Sequence, residues 1–281
     1  MDSTRIQPVG GKHAIEVMAI GVEWTKPLSE KQLLSLENVY KEHKEIQAFL
    51  PKHFPLQSIQ LQAGFSSAEP DTPQLPHFVQ SQGFAGFDLR RYESDGSVPW
   101  LVSVRPEFMS CNCADYDRWN SVKSQSMLIL TPFVEAAVAA GIKISAIGLQ
   151  YQDAFRLMDG VSPEVASQLF RKNTRWIASH LFDESSFWHC HHGWFSKDQK
   201  SRKSLNNVTV DMVEIDKVHF AKIGGQHRVF SGLEDDQEGW LIELSNIDAI
   251  LDYLHQENKK VINGMLSNGA LVAIGCKGED S

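Results

Sequence analysis

The sequence predicts an α+β fold in which long amphipathic helices pack on mainly antiparallel sheets. The chain has 281 residues, 42 % of them hydrophobic, so it can bury a large core. Runs with the alternation of β-strands come in groups, and short turns join them more often than helices do. Segments with helical periodicity stand between the groups, which favours α+β over a doubly wound parallel fold.

The first elements are a strand and a capped helix. Apolar residues alternate in part between Ala14 and Trp24, which predicts the strand. Ser29 then stands at the N-cap position of a helix, with Gln32 where the capping box needs it. Pro51 predicts the end of this helix.

A hairpin is predicted next. Residues 58–65 read as a strand, and a proline-containing loop follows. The runs 84–92 and 98–104 then flank Asp95-Gly96, a dipeptide that supports the positive backbone angles of a tight turn.

The middle of the chain predicts two helices and a strand. A helix begins near Asp115, and Pro132 is expected to interrupt it. Thr131 and Pro132 fit the N-cap and first residue of a new helix, which Gly141 caps at its C-terminus. Residues 142–151 follow as a strand.

The second half again combines helices with a group of strands. A helix is predicted from Ser162 to Ile177, and a last helix is capped by Ser245. Between them a three-stranded meander is expected from residues 208–215, residues 218–223 with 228–230, and residues 240–244.

A boundary near Asp159-Gly160 divides the chain into an N-terminal half (1–159) and a C-terminal half (160–281). The halves can be loosely similar in architecture, and one continuous domain is the alternative.

Composition and charge limit the cellular compartments and the kinds of partner to be expected. The formal net charge of −8 argues against nucleic-acid binding, because the electric field of the molecule repels phosphate groups. No apolar run is long enough to span a membrane, and the first residues lack a signal-peptide core, so we expect a cytoplasmic protein without membrane contact. Four irregularly spaced cysteines indicate reduced thiols.

The run His189-Cys190-His191-His192 carries the most chemically capable side chains. In a strand His189 and His191 would share one face, and in a helix His189 and His192 would. Either geometry offers at most two ligands of a tetrahedral zinc site, so the protein is expected to have no cofactor, with zinc as the alternative. A complete site would need further ligands, for which the candidates are Asp183, Glu184, Cys111 and Cys113.

The same segment is also a candidate protein-binding surface. Aromatic residues flank the run and a basic stretch follows it, and aromatic residues and arginine are frequent at binding hot spots. The predicted binding residues are Trp188, Trp194, Phe195, Lys200 and Arg202. For Trp188 and Trp194, packing in the core is an equal alternative, whereas core packing is expected for Trp119 and Trp176.

Two other motifs are interpreted without catalytic roles. Gly224-Gly225 lies between strand-like runs, which predicts a hairpin turn and not a phosphate loop. The acidic residues 234–238 lack the spacing of a calcium loop, and contact with a basic partner is a hypothesis for them.

Several segments resemble a sporadically distributed family of uncharacterised bacterial proteins. These segments are residues 15–20, Tyr116-Asp117-Arg118-Trp119, residues 147–151, and the final helix with His255, Asn258 and Met265. The chain departs from the family at Gln150, where arginine is frequent, and at Asp153, where asparagine is frequent. The resemblance implies a bacterial cytoplasmic protein of a mobile or defence-related operon, and it implies no catalytic residue.

The sequence thus favours a non-catalytic binding or regulatory protein that acts through contacts with another protein, such as an immunity or antitoxin-like partner. Homo-oligomerisation is compatible with this function. The alternative is a metal-dependent hydrolase that uses the His189–His192 cluster. The first is preferred because a catalytic metal site normally shows three protein ligands and a recognisable base.

Overall fold

A computed structural model describes residues 5–65, 76–197, 202–232 and 241–276, and within these ranges ten strands form one sheet. The strands are β1 (Ile6–Pro8), β2 (Ile15–Trp24), β3 (Lys52–Phe65), β4 (Pro76–Arg91), β5 (Trp100–Val104), β6 (Phe108–Cys113), β7 (Ile144–Leu157), β8 (Trp188–Lys197), β9 (Lys203–Ile215) and β10 (Val218–Phe230). The helices are α1 (Glu30–Glu42), α2 (Lys44–Phe49), α3 (Trp119–Ala139), α4 (Pro163–Leu169), a 3-10 helix (Ser179–Asp183), α5 (Leu244–Met265) and α6 (Asn268–Ala273). The prediction of a mixed fold with mainly antiparallel strands is confirmed, and the strands form one large sheet.

The sheet is continuous across the middle of the chain. Its strand order is β3-β4-β5-β6-β2-β7-β10-β9-β8, and β1 pairs with the end of β7. All these pairs are antiparallel, and β7 lies between β2 and β10. The sheet therefore crosses the predicted boundary at Asp159-Gly160, and the division into two halves stays a prediction.

The core lies between the sheet and the helices, and it consists of two hydrophobic clusters. One packs around α1, α3 and the first half of α5, and it includes Tyr151 of β7 and Leu254 of α5. The other packs around α4, α6 and the second half of α5, and it includes Phe155 and Val261. Because β7 and α5 contribute to both clusters, the residues between these positions lie at the junction of the two.

Three local signals are confirmed. Ser29 and Gln32 form the capping box at the start of α1. Gly96 has a φ of 85° in the turn that joins β4 to β5, where the Ser97 N–H donates to Asp95 Oδ1 at 2.9 Å. Gly141 has a φ of 78° just after α3, as a left-handed helix cap requires.

Pro132 does not interrupt the helix, so the predicted restart at Thr131 is wrong. The helix α3 runs from Trp119 to Ala139 with Pro132 inside it. Proline removes one backbone hydrogen bond, which leaves the carbonyl four residues earlier, at Leu128, without its helical partner. The Leu128 side chain is 49 % exposed, so this turn faces water, while the buried face of the helix continues through Ile129 and Phe133.

The predicted hairpin turn at Gly224-Gly225 is also wrong, because both glycines lie inside β10. A Cβ at Gly225 would collide with the side-chain amide of Asn258 of α5. This glycine therefore lets the helix approach the strand. The turn lies instead at Asp216-Lys217, where φ is 51° and 63°, in keeping with a two-residue hairpin loop.

Two element boundaries in the second half differ from the prediction. The helix α4 ends at Leu169 and does not continue to Ile177, because Phe170 adopts extended backbone and forms a bridge with Leu266. Of the strand predicted over residues 240–244, Trp240 lies outside the described residues and Ile242 forms only an isolated bridge. The last helix begins at Leu244 with Glu243 as N-cap, and not after Ser245.

Within the described ranges, no helix combines the length and the apolar character needed to cross a bilayer. The predicted proline-containing loop lies largely outside these ranges, as does the acidic stretch 234–238.

Candidate functional site

The His/Cys run lies on β8, the last strand of the sheet order. Exposure alternates along it: His189 and His191 point to solvent, whereas Cys190 and His192 are half-buried on the face that carries the helices. This alternation is the one expected for a strand. The two faces of β8 therefore present two different surfaces, one of exposed imidazoles and one of packed rings.

The cysteines that were candidate ligands lie far from the run. Cys111 and Cys113 are on β6, and four strands separate β6 from β8, a distance of roughly 24 Å across the sheet. Both thiols are fully buried, and burial raises the pKa of each to about 12, so they remain protonated. Among the described residues, the structure contains no group of three or more His, Cys, Asp and Glu side chains placed to hold a metal ion.

An aromatic cluster covers the inner face of β8 near its end. The Trp176 and Trp194 rings are 4.8 Å apart, and the His192 ring meets Trp176 edge-on at 5.8 Å. The Arg175 guanidinium lies 4.4 Å from the centre of the Trp176 ring. As expected, Trp176 is buried, whereas Trp194 is half-buried at the margin of the protein.

The remaining predicted binding residues occupy different environments. Trp188 is 9 % exposed and its ring packs near Phe170 in the core. Phe195 is 62 % exposed, and Lys203 Nζ lies 4.7 Å from the centre of its ring. Arg202 is buried at the start of β9, whereas Lys200 lies outside the described residues. Of the predicted set, Phe195 and Trp194 are the described residues most available to a partner.

The outer edge of β8 lacks a neighbouring strand within the described part of the chain. The whole of β8, from Trp188 to Lys197, pairs with β9 in an unbroken register. The strand contains neither a proline nor a bulge, which are common protections of natural edge strands. It therefore presents a long row of backbone N–H and C=O groups that a further strand can bind.

Two buried nitrogen atoms beside this edge also lack partners. Trp188 Nε1 and His192 Nε2 are inaccessible to solvent and form no hydrogen bond to any described residue. A buried polar group without a partner costs about 1–3 kcal/mol. Burial and the neighbouring His191 lower the pKa of His192, so its ring is neutral at pH 7.

A buried histidine network lies beneath α5, and the sequence alone did not indicate it. His227 of β10 is fully buried, with Nδ1 2.8 Å from Asn206 Oδ1 and Nε2 3.2 Å from the Asn258 side-chain amide. Burial lowers the pKa of His227, so its ring is neutral and one nitrogen must accept. Asn206 donates its amide N–H to Ser196 Oγ at 3.0 Å, so its oxygen accepts from Nδ1–H, and Asn258 must present its amide nitrogen to Nε2.

A second polar group, also missed from the sequence, lies where the two core clusters meet. The Tyr151 hydroxyl is 2.9 Å from Nδ1 of His255, whose ring stacks on Trp119 at 4.4 Å. Burial lowers the pKa of His255 to about 4 and raises that of Asp153 to about 7. Asp153 lies opposite Ile223 of β10 in the sheet, and only the structure shows that its side chain is buried.

No model of a known protein family matches this chain, and no curated protein sequence matches it.

Proposed function

We propose that this protein is a non-catalytic cytoplasmic binding protein that acts by adding a strand of a partner protein to the free edge of β8. The observation that carries the proposal is this edge: ten residues in unbroken register with β9 on one side and, within the described ranges, no strand on the other. Backbone hydrogen bonds to such an edge give affinity, and pockets for alternate side chains give specificity.

The chemistry of the edge supports an acidic partner segment. The strand β8 itself contains no carboxylate, and it ends at Lys197, which lies directly opposite Lys203. Like charges opposite each other on neighbouring strands are unfavourable, so an anionic side chain of the added strand beside Lys197 would offset the repulsion. The exposed His189 and His191 add side chains that can form hydrogen bonds with the partner.

Exposed Phe195 is the proposed apolar anchor of the interface. Aromatic residues near the centre of an interface, surrounded by polar groups, contribute much of the binding energy. Here the ring lies two residues from the end of β8, between the exposed imidazoles and the lysine pair. Trp194 and Trp176 lie behind it on the other face and hold the strand in place.

We also infer that the chain consists of two loosely similar halves, with α3 and α5 as amphipathic layers on the sheet. The order of elements supports this. A central strand, β2 or β7, is followed in each case by short helices, a meander and a long helix, with β7 lying just before the predicted boundary at Asp159-Gly160 and α6 following α5. In this arrangement β8 corresponds to β3, the strand at the other end of the sheet order. An immunity-like role in a bacterial defence system is compatible with this architecture.

The test compares two exposed phenylalanines in similar settings. Phe195 of β8 lies beneath the side chain of Lys203, a residue of β9. Phe54 of β3 lies beneath the side chain of Arg90, a residue of β4, whose Cζ is 4.8 Å from the ring centre. A partner is captured with tagged protein from the native host, identified and purified, and its affinity for each variant is measured by calorimetry. We expect Phe195→Glu to weaken binding at least about tenfold, as for a hot-spot residue, and Phe54→Glu to leave it within about twofold.

Hydrogen exchange of the complex supplies a second measurement. Strand addition must slow exchange of the outward amides of β8, because these become hydrogen-bonded. A complex in which β8 exchanges as in the free protein, or in which both phenylalanine variants bind equally well, would contradict the proposal.

The alternative, a metal-dependent hydrolase, is tested separately by the metal content of protein purified without chelators. A stoichiometric metal that is lost in a His189→Ala, His191→Ala double variant would support that alternative. The same double variant retains both the backbone of β8 and Phe195, so it should still bind a protein partner.

A further inference from the structure

A groove opens between β1, α4 and α6, on the side of the sheet that carries the helices. Its volume is about 740 Å³, within the usual range of small-molecule sites. Phe155 and Phe170 lie beneath its floor, each at most 1 % exposed, and the accessible apolar part of the floor is formed by Ile6 and Ala273. Because the site is a groove, a small molecule can enter it whereas a flat lipid surface cannot.

The charge of this groove is opposite to that of the whole protein. Arg5, Arg171 and Lys172 line it, and its lining contains no carboxylate. The chain as a whole has 35 acidic and 27 basic residues. Arg5 is the only one of the three that pairs with a carboxylate of a described residue, at 2.9 Å from Asp159, which is not part of the lining.

Arg171 is held in place by neutral groups. Its Nε donates to the Leu266 carbonyl oxygen at 2.8 Å, and one terminal nitrogen donates to Asn268 Oδ1 at 3.0 Å. These bonds fix the guanidinium at the groove without neutralising it. Such a preorganised charge favours an anion more than a mobile side chain does, because less conformational entropy is lost on binding.

We propose that the groove binds a small amphipathic anion, in which a carboxylate or phosphate is carried on an apolar body. The apolar body packs on Ile6 and Ala273, above the buried Phe155 and Phe170, and the anionic group faces Arg171 and Lys172. No residue of β8 is part of the lining, so this site is independent of the proposed strand addition.

Decanoate is a suitable probe, with decanol and decyltrimethylammonium as neutral and cationic analogues of equal chain length. Titration calorimetry of the whole protein at low salt should give saturable decanoate binding with one site per chain. Both analogues should bind at least about tenfold more weakly, since neither carries an anionic group to accept charge-assisted hydrogen bonds from Arg171 and Lys172. Lys172→Glu should weaken decanoate binding about threefold or more, because Lys172 is exposed and partly screened.

Two neighbouring positions on α6 provide a matched pair of variants. Ala273 lines the groove and is exposed, whereas Val272 is 66 % exposed and lies outside the lining. Ala273→Trp should fill the groove and weaken decanoate binding at least about tenfold, and Val272→Trp should change it by less than about twofold. If Ala273→Trp does not fold, as judged by circular dichroism, Gln168→Trp on the α4 wall replaces it.

Four results would overturn the proposal. The first is undetectable binding of decanoate to the unmodified protein, and the second is a decanol affinity equal to that for decanoate. The third is a decanoate affinity of the groove-filling variant equal to that of the unmodified protein, and the fourth is that Val272→Trp weakens decanoate binding as much as the groove-filling variant does. Each of these results would show that the basic rim and the apolar floor do not act together as a site.

Discussion

Asp153 offers a direct measurement of how burial controls the stability of this fold. The residue is 6 % exposed on β7, between Tyr151 of one core cluster and Phe155 of the other. Burial raises the pKa of its carboxyl from 3.8 to about 7. Asp153→Asn keeps the shape of the protonated acid and removes its ability to ionise.

The magnitude follows from the pKa in the two states. Between pH 3.8 and about 7 the folded protein keeps a proton that the unfolded chain has released. Stability therefore falls as pH rises through this window, by about 1.4 kcal/mol per pH unit, and the loss approaches about 4 kcal/mol above it. Below pH 3.8 both states are protonated and this contribution disappears.

The assay is urea unfolding at about pH 4 and about pH 8.5. We expect Asp153→Asn to match the unmodified protein within about 1 kcal/mol at the lower pH and to exceed its stability by up to about 4 kcal/mol at the higher pH. Asp183→Asn is the control, since Asp183 is exposed and surface changes usually stay within about 0.5 kcal/mol. A stability difference for Asp153→Asn that is equal at both pH values would refute the reasoning.

Three further predictions concern buried groups. Gly225→Ala should destabilise the protein by about 1–3 kcal/mol, because the new methyl group collides with the Asn258 side chain of α5. Gly21→Ala is the control and should be nearly neutral, because no atom lies within 4 Å of its new methyl group. Urea unfolding of both variants measures the difference. Cys111 and Cys113 should react with a thiol reagent only after denaturation, so time courses with and without denaturant should differ by two thiols per chain; rapid labelling of both in the native protein would contradict their burial. His255 should remain neutral until about pH 4, and since its pKa is lowered from 6.5, stability should fall as pH drops through this range; an NMR titration of its ring near pH 6.5 would disprove this.

The sequence predicted features whose causes lie within a few residues. Ser29 and Gln32 contact each other across one helical turn, and Gly96 and Gly141 occupy backbone conformations that favour glycine. The alternation of the His/Cys run likewise depends only on strand geometry. Such features need no knowledge of distant packing.

The failures occurred where distant segments override a local rule. Pro132 remains within a helix because the core holds both sides of that helix, and Gly225 serves the approach of Asn258 and not a turn. The raised pKa of Asp153 and the network around His227 depend on α5 covering the sheet. The groove between α4 and α6 joins segments about 100 residues apart in the chain, so no sequence pattern near either helix indicates it.

The central position of β7 has a consequence for synthesis on the ribosome. Gly21 of β2 pairs with Gly148 of β7, and Gly148 pairs in turn with Arg228 of β10. During vectorial synthesis β2 can pair with β6 first, but its other edge waits for β7, and the second edge of β7 waits for β10, so most of the chain emerges before the central part of the sheet is complete. Such long-range closure is slow and leaves strand edges open to aggregation. We expect the nascent chain to depend on chaperone binding between the emergence of β2 and that of β10.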